Sequence, residues 1–254
     1  SGSASTDAAG AKSLTRTAGV LSVGTTTDSK PNAYRDNGKM TGFDIDLVEA
    51  IAKKLDLRVE YKSMEFSALL PAVANGQVDV ATNAIAATVE RQKTVDFAEG
   101  NVVGAIAVLT KKDSGITKEK STVGGKRLGL VQGSIQEAYA TKEFPDAQIV
   151  RFPDNNSGVA GLDSGRVDAF FIDAVVGADY VKQNSALTMP IYVWTLDLPA
   201  AIAVKKGNTK LLDAINKAQD TIFSDGTWKK LYEKYYEPTL PLPEQLPPYK
   251  NPQA

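Results

Sequence analysis

The chain has 254 residues, 43% apolar and 23% charged, with 29 Lys and Arg against 30 Asp and Glu, for a formal net charge of −1. That length supports one large domain or two ordinary ones, and a balanced charge without a basic block gives nucleic acid or an anionic membrane nothing to grip. With neither cysteine nor histidine, disulfides, thiolate catalysis, histidine-based triads and the usual zinc and copper ligand sets are excluded.

The first stretch, S-G-S-A-S-T-D-A-A-G-A-K, is small and polar. It cannot bury a core, and residues 1–19 are expected to form a flexible leader, left by removal of an export signal or lipid-bearing residue, or added as a cloning scar. No run approaches the roughly 20 apolar residues that span a bilayer. Val20 to Val23 reads as a strand, closed by Gly24 and the polar loop T-T-T-D-S-K-P-N, and Asp36-Asn37-Gly38 as a turn. A helix follows, with Asp44 as N-cap and Val48, Ile51, Ala52 and Leu55 along one face. Leu57 to Tyr61 alternates like a strand, Phe66 to Ala74 reads as a helix stopped by Asn75 and Gly76, and Val78 to Ala81 as a short apolar strand. Strands alternating with helices imply a parallel sheet with helices on its faces. Ligands of such sheets bind beyond the carboxyl ends of the strands, where residues 24–32 and 82–91 both lie.

The second half repeats this grammar. Val102 to Leu109 is an apolar run; Arg127 to Val131 is a strand ending in Gln132-Gly133-Ser134, and Gln136 to Lys142 is helical. Ser134 therefore stands at a helix start, either as a plain N-cap or beside backbone N–H groups that favour an anion. Ala72 to Ala84, A-V-A-N-G-Q-V-D-V-A-T-N-A, matches Gly161 to Asp173, G-L-D-S-G-R-V-D-A-F-F-I-D, placing Val78-Asp79 over Val167-Asp168 and Ala84 over Asp173. A unit repeated in this register implies two α/β lobes of like design. Pro190 to Thr195 and Ala200 to Val204 are strand-like, Leu211 to Phe223 is an amphipathic helix, and D-G-T-W-K-K-L-Y-E-K-Y-Y makes one more. The proline-rich end is too broken for either element and is expected to strap the surface through Leu240, Leu242, Leu246 and Tyr249.

Two charges stand out. Arg91 follows the small-residue loop after the first repeat, and its fork of donors suits a carboxylate; the alternative is a surface arginine paired with Glu90 or Asp96. Asp173 ends the second repeat, either capping the helix after it or waiting as an anion for a cation. Facing each other across one cleft, they match the two ends of a zwitterion.

G-F-D-I-D-L-V-E-A-I-A-K-K-L (42–55), N-G-Q-V-D-V, T-V-E-R-Q-K-T-V-D-F (88–97), V-Q-G-S (131–134), G-R-V-D-A-F-F-I-D (165–173) and the closing D-G-T-W-K-K-L-Y-E-K-Y-Y, in that order from about Val20 to Tyr236, resemble the polar amino-acid-binding proteins, family 3 of the bacterial extracellular solute-binding proteins. The resemblance implies an α/β, two-lobed periplasmic-binding-protein-like fold of type II. Lobe 1 would hold residues 20–100 plus 201–254, lobe 2 residues 106–194, and the hinges would lie at about 101–105 and 195–200. It implies a monomer outside the cytoplasm, in a periplasm or lipid-anchored on the membrane, which closes on an amino acid or related zwitterion without a cofactor or metal and docks on the membrane permease of an ABC importer. By the resemblance, Arg91 with Ala86 and Ser134 binds the ligand carboxylate, and Asp173 with Ala84 the ammonium. The side-chain pocket would take Asp28, Ser29, Asn32, Phe66 and Asn83. The family's usual aromatic and Pro-Phe in the first loop are absent here, and its serines after the first-lobe strand are replaced by Asn83, Ala84 and Ala86, which implies a more open or more polar pocket. Asp28 and Glu65 could read a cationic side chain.

Two other functions fit the same pattern. Some relatives of this fold are cyclohexadienyl-dehydratase-like enzymes, which here would have to carry protons on Glu65, Asp28 or Lys30. The sensor domain of a receptor would need a membrane segment, which this sequence lacks unless it was trimmed away.

Overall fold

The computed structural model describes residues 14–253. The first sheet takes β1 (Val20–Thr25), β5 (Arg58–Ser63), β6 (Val80–Ala81), β7 (Val95–Phe97) and β13 (Ala203–Lys205) in the order β5-β1-β6-β13-β7. The second takes β8 (Ala105–Lys111), β9 (Arg127–Val131), β10 (Gln148–Phe152), β11 (Ala169–Asp173) and β12 (Leu187–Trp194) in the order β10-β9-β11-β8-β12. β2 (Asp28–Ser29), β3 (Ala33–Asp36) and β4 (Lys39–Thr41) form a small third sheet. At its β3–β4 turn Asn37 (φ 50) and Gly38 (φ 78) both adopt the left-handed conformation that a tight two-residue hairpin demands.

Neither large sheet is wholly parallel. β1 pairs in parallel with β5 and β6, and β9 with β10 and β11, as the strand–helix alternation predicts. However, β13 runs antiparallel to β6 and β7, and β8 antiparallel to β11 and β12. The antiparallel strands are those that leave or enter by the crossovers between the sheets. Strand direction there depends on where the chain comes from, which no local pattern records.

The helices are α1 (Phe43–Lys54), α2 (Phe66–Ala74), α3 (Ile135–Glu143), α4 (Asn155–Asp163), α5 (Ala174–Gln183), α6 (Thr209–Ser224) and α7 (Thr227–Tyr235). α1, α6 and α7 share the largest core, in which fully buried Trp228 and Phe43 meet edge to face at 6.4 Å. The indole of Trp228 donates to the Asn101 carbonyl at 2.7 Å, tying α7 to a crossover. The two crossing segments bond to each other: Asn101 N donates to Ala200 O, Ala200 N to Val102 O, and Thr195 N to Gly104 O.

The internal repeat has a physical counterpart. Asp79 N donates to Ser22 O while its carboxylate accepts from Ser22 N at 2.8 Å. Asp168 does the same to Arg127, through N to O and with its carboxylate taking Arg127 N at 2.8 Å. In each half, the aspartate before the strand locks onto the parallel strand beside it.

Three expectations need correcting. The chain described from residue 14 is docked before strand β1: Arg16 N donates to the Asp79 carboxylate at 2.7 Å and Leu14 packs on the core, while the remainder of the expected leader, residues 1–13, lies outside the described residues. Leu246 is 43% exposed, so the C-terminal segment is held by buried Leu240, by Leu242, and by Tyr249 in a bridge to Gly100. Gly42, not Asp44, occupies the cap of α1, and Asp44 turns inward.

One close approach makes a prediction. A Cβ on Gly158 in α4 would lie 2.0 Å from the fully buried ring of Phe170 on β11. Gly→Ala in a helix ordinarily gains up to about 1 kcal/mol, but overpacking a core costs about 1–3 kcal/mol. Gly158→Ala is expected to be destabilising, read as a lower urea midpoint with unchanged m-value.

Candidate ligand-binding cleft

A cavity of about 290 Å³ opens between the two sheets, at the carboxyl ends of their central strands. The first half contributes Asp28, Ser29, Phe66, Asn83, Ala84, Ala86 and Arg91 to its wall, the second Ser134 and Asp173. Asn32, expected beside them, is elsewhere. It is 1% exposed, its Oδ1 accepts from the Tyr236 hydroxyl at 2.5 Å, and it lines a smaller cavity behind the main one. The reason is local: Asn32 O accepts from Asp44 N at the start of α1, so its backbone faces the helix rather than the cleft.

Arg91 begins a single 3₁₀ turn, Arg91–Lys93, after the loop. Its Nη1 donates to Ala86 O at 2.8 Å, its Nη2 crosses the cleft to Gly133 O at 2.9 Å, and its guanidinium lies 5.6 Å from the Phe66 ring centre. The acids that a surface arginine would have used are taken by lysines, Glu90 by Lys93 at 2.8 Å and Asp96 by Lys206 at 3.9 Å. Burial lowers the Arg91 pKa to about 10, opposed by the charge of Asp173, so the group stays cationic at neutral pH.

Asp173 occupies the cap position of α5 but makes no side-chain cap bond there. Its Oδ1 accepts from Gln136 Nε2 at 2.7 Å. Burial raises its pKa, while Gln136 and Arg91 pull it back. Ser134 is a true N-cap, its Oγ accepting from Glu137 N at 3.4 Å, and it lines the cavity as well.

Asp28 does not stand free in the pocket. Its Oδ2 accepts from Asn156 N at 2.9 Å, in the first turn of α4, where Asp154 is already the N-cap. Next to it, Asn155 Nδ2 donates to Ser29 Oγ at 3.2 Å. A carboxylate of the first half thus supplements the cap of a helix in the second, where the helix dipole favours it. Its pKa is nevertheless raised, by burial and by Asp154, against the pull of the Asn156 N–H. Asn83 Nδ2 reaches Thr26 and Ser29, leaving its Oδ1 without a partner among the described residues.

Asp44, Gln136 and Asp154 to Asn156 were not anticipated as parts of the site. Asp44 is 2% exposed, and its Oδ2 accepts from Ala84 N at 2.8 Å, holding Ala84 at φ 49. Burial, with the repulsion of Asp173, raises its pKa to about 7 against the help of the Ala84 N–H. A signal was present: Asp44, Val48, Ile51 and Leu55 follow i, i+4, i+7, i+11, the spacing of one helix face.

The comparisons agree with this geometry. The family model described as bacterial extracellular solute-binding proteins, family 3, matches residues 21–238. "Probable amino-acid-binding protein YxeM" of Bacillus subtilis (strain 168) is 32% identical over 232 residues, 89% of this chain and 87% of the relative. Among solved structures, an ancestral arginine-binding protein bound to arginine superposes with a TM-score of 0.82 at 38% identity, covering 86% of this chain and 98% of that one. An ancestral amino acid-binding protein, AncCDT-1, a precursor of cyclohexadienyl dehydratase, does so with a TM-score of 0.78 at 33% identity, over 86% and 96% of the two chains. The chain therefore belongs to family 3 of the bacterial extracellular solute-binding proteins.

Proposed function

We propose that this protein captures an amino acid in the cleft between its two sheets and delivers it to the membrane permease of an ABC importer, outside the cytoplasm. The observation that carries the reading is that Arg91 and Asp173 are held by different sheets on one cavity. A zwitterion spans that gap: Arg91, with the backbone near Ala86 and Ser134, takes the carboxylate, and Asp173, with the Ala84 carbonyl, the ammonium. Ligand bound to both halves favours the closed arrangement, and the paired crossing segments at 98–104 and 195–202 are the natural hinge. No helix among the described residues is long and apolar enough to cross a membrane.

The remaining wall suggests the side chain. Besides Asp173 it presents Asp28, Glu65 and Asp154, and among the described residues Arg91 is the one Lys or Arg that lines it. Such a wall favours a cationic or donor-rich side chain, with Phe66 as its apolar flank. A calorimetric series of L-arginine, L-lysine, L-glutamine and L-glutamate is expected to rank the basic ligands first and L-glutamate last. Tighter binding of L-glutamate would overturn the side-chain assignment, and no binding of any amino acid the whole reading.

The groups available for proton transfer favour binding over dehydration of a cyclic acid. Asp28 is engaged by α4, Lys30 lies 5.4 Å from the Tyr34 ring outside the cavity wall, and Glu65 is exposed at its rim.

A further inference from the structure

Behind Asp173 the main cavity adjoins a second one of about 60 Å³; Ala84, Ala86, Ile135 and Asp173 belong to the walls of both. One water needs roughly 10–15 Å³ of such space, so this is room for several atoms. Its wall is largely apolar, with Val102, Ala105, Ile106, Val175 and Leu198. Most polar side-chain groups there are already committed, the Tyr236 hydroxyl to Asn32 Oδ1, Thr195 Oγ1 to Gly104 O, and Asp173 Oδ1 to Gln136, which leaves Asn32 Nδ2 and the second oxygen of Asp173. Water, which wants 2–4 polar partners in such a place, would find few.

The acceptors facing the amine are also few. A primary ammonium offers three N–H donors. Ala84 and Ala86 end in methyl groups, and the Ala86 carbonyl already accepts from Arg91 Nη1 and Thr88 N. Of the residues that wall both cavities, that leaves the second oxygen of Asp173 and the Ala84 carbonyl, which takes no backbone hydrogen bond among the described residues. Two acceptors beside an apolar void match an amine with two N–H groups and one carbon substituent.

We infer that the site accepts amino acids whose α-nitrogen carries a small alkyl group, seated in the cavity bounded by Val102, Ala105 and Ala200. This rests on the proposed orientation of the ligand, with its nitrogen at Asp173. A site closed tightly around a primary ammonium would instead reject the added methyl by crowding.

The experiment is calorimetry with L-arginine and Nα-methyl-L-arginine, and with L-glutamine and N-methyl-L-glutamine as a neutral pair. For a pair that binds, the N-methyl form is expected within tenfold of its parent. In Val175→Phe, which fills the small cavity from α5, the parent should bind as before and the N-methyl form at least tenfold more weakly. Ile106→Phe fills the same space from β8 and replaces it if Val175→Phe does not fold. More than tenfold rejection of the N-methyl form by the wild type overturns the inference alone, as does an unchanged ratio in the folded cavity-filling variant. Absence of binding by either member of both pairs overturns the amino-acid reading and this inference with it.

Discussion

Asp173→Asn is expected to lower amino-acid affinity by roughly 30-fold to several thousandfold, since losing one partner of a desolvated charge pair costs about 2 to 5 kcal/mol. Asparagine keeps an oxygen for Gln136 Nε2, so the bond at 2.7 Å and the start of α5 should survive. The change then isolates the charge: it takes from the ligand ammonium the carboxylate placed for it, while the ligand carboxylate still meets Arg91. Arg91→Ala should lose as much, but it also frees the carbonyls of Ala86 and Gly133. Arg91→Lys is the sharper companion, because an ammonium keeps the charge without the planar fork. Calorimetry on the three variants, with the melting temperature as control, decides the matter. Wild-type affinity in both Asp173→Asn and Arg91→Ala would remove these residues from the binding site.

The second large effect is on stability. The Asp44 carboxyl titrates at about 7 in the folded protein against an ordinary 3.8, first because it is buried and then because Asp173 repels it. The fold holds this proton more tightly than the unfolded chain does. The stability associated with it is therefore fully present below the ordinary carboxylate pKa, and is lost as pH rises through about 7. At about 1.4 kcal/mol per pH unit, the difference amounts to about 4 kcal/mol above that pH. Asp44→Asn keeps an acceptor for Ala84 N and abolishes the titration, but brings an amide that needs its own acceptor. Urea unfolding should show Asp44→Asn more stable than wild type by about 2 kcal/mol or more at pH 8, with the advantage shrinking toward pH 4. An equal difference at pH 5 and pH 8 would contradict the assignment. The same group predicts a linkage to binding: an ammonium held at Asp173 favours the anionic form of Asp44, so affinity should rise as pH climbs through about 7, and flatten in Asp44→Asn.

How far the sequence could be read depended on the range of the interaction. The α1 and α6 stripes, the turn at Asp36-Asn37-Gly38 and the helix stop at Asn75-Gly76 are neighbour effects within a few positions, and they were legible. The pairing of Arg91 with Asp173 was legible for a different reason: the repeat of Val78-Asp79 at Val167-Asp168 told that two strand ends of like design exist. Asn32 was misplaced because its position in the loop suggested the pocket, while its backbone bond to Asp44 N turns it into the wall. Asp28 does line the pocket, but nothing near it in sequence shows the helix end at Asn156 that its carboxylate meets.

The sequence by itself determined the alternation of strand and helix, the two-lobed plan, and the charges at the two strand ends, because side-chain periodicity and turn chemistry act locally. Only the tertiary structure decided which donors and acceptors remain for a ligand. Asp28 is drawn to α4, Asp44 is buried under Ala84, the Ala86 carbonyl is taken by Arg91, and an apolar space is left behind Asp173. Each of these follows from bringing together groups on separate elements, where burial and competition for hydrogen bonds set the outcome.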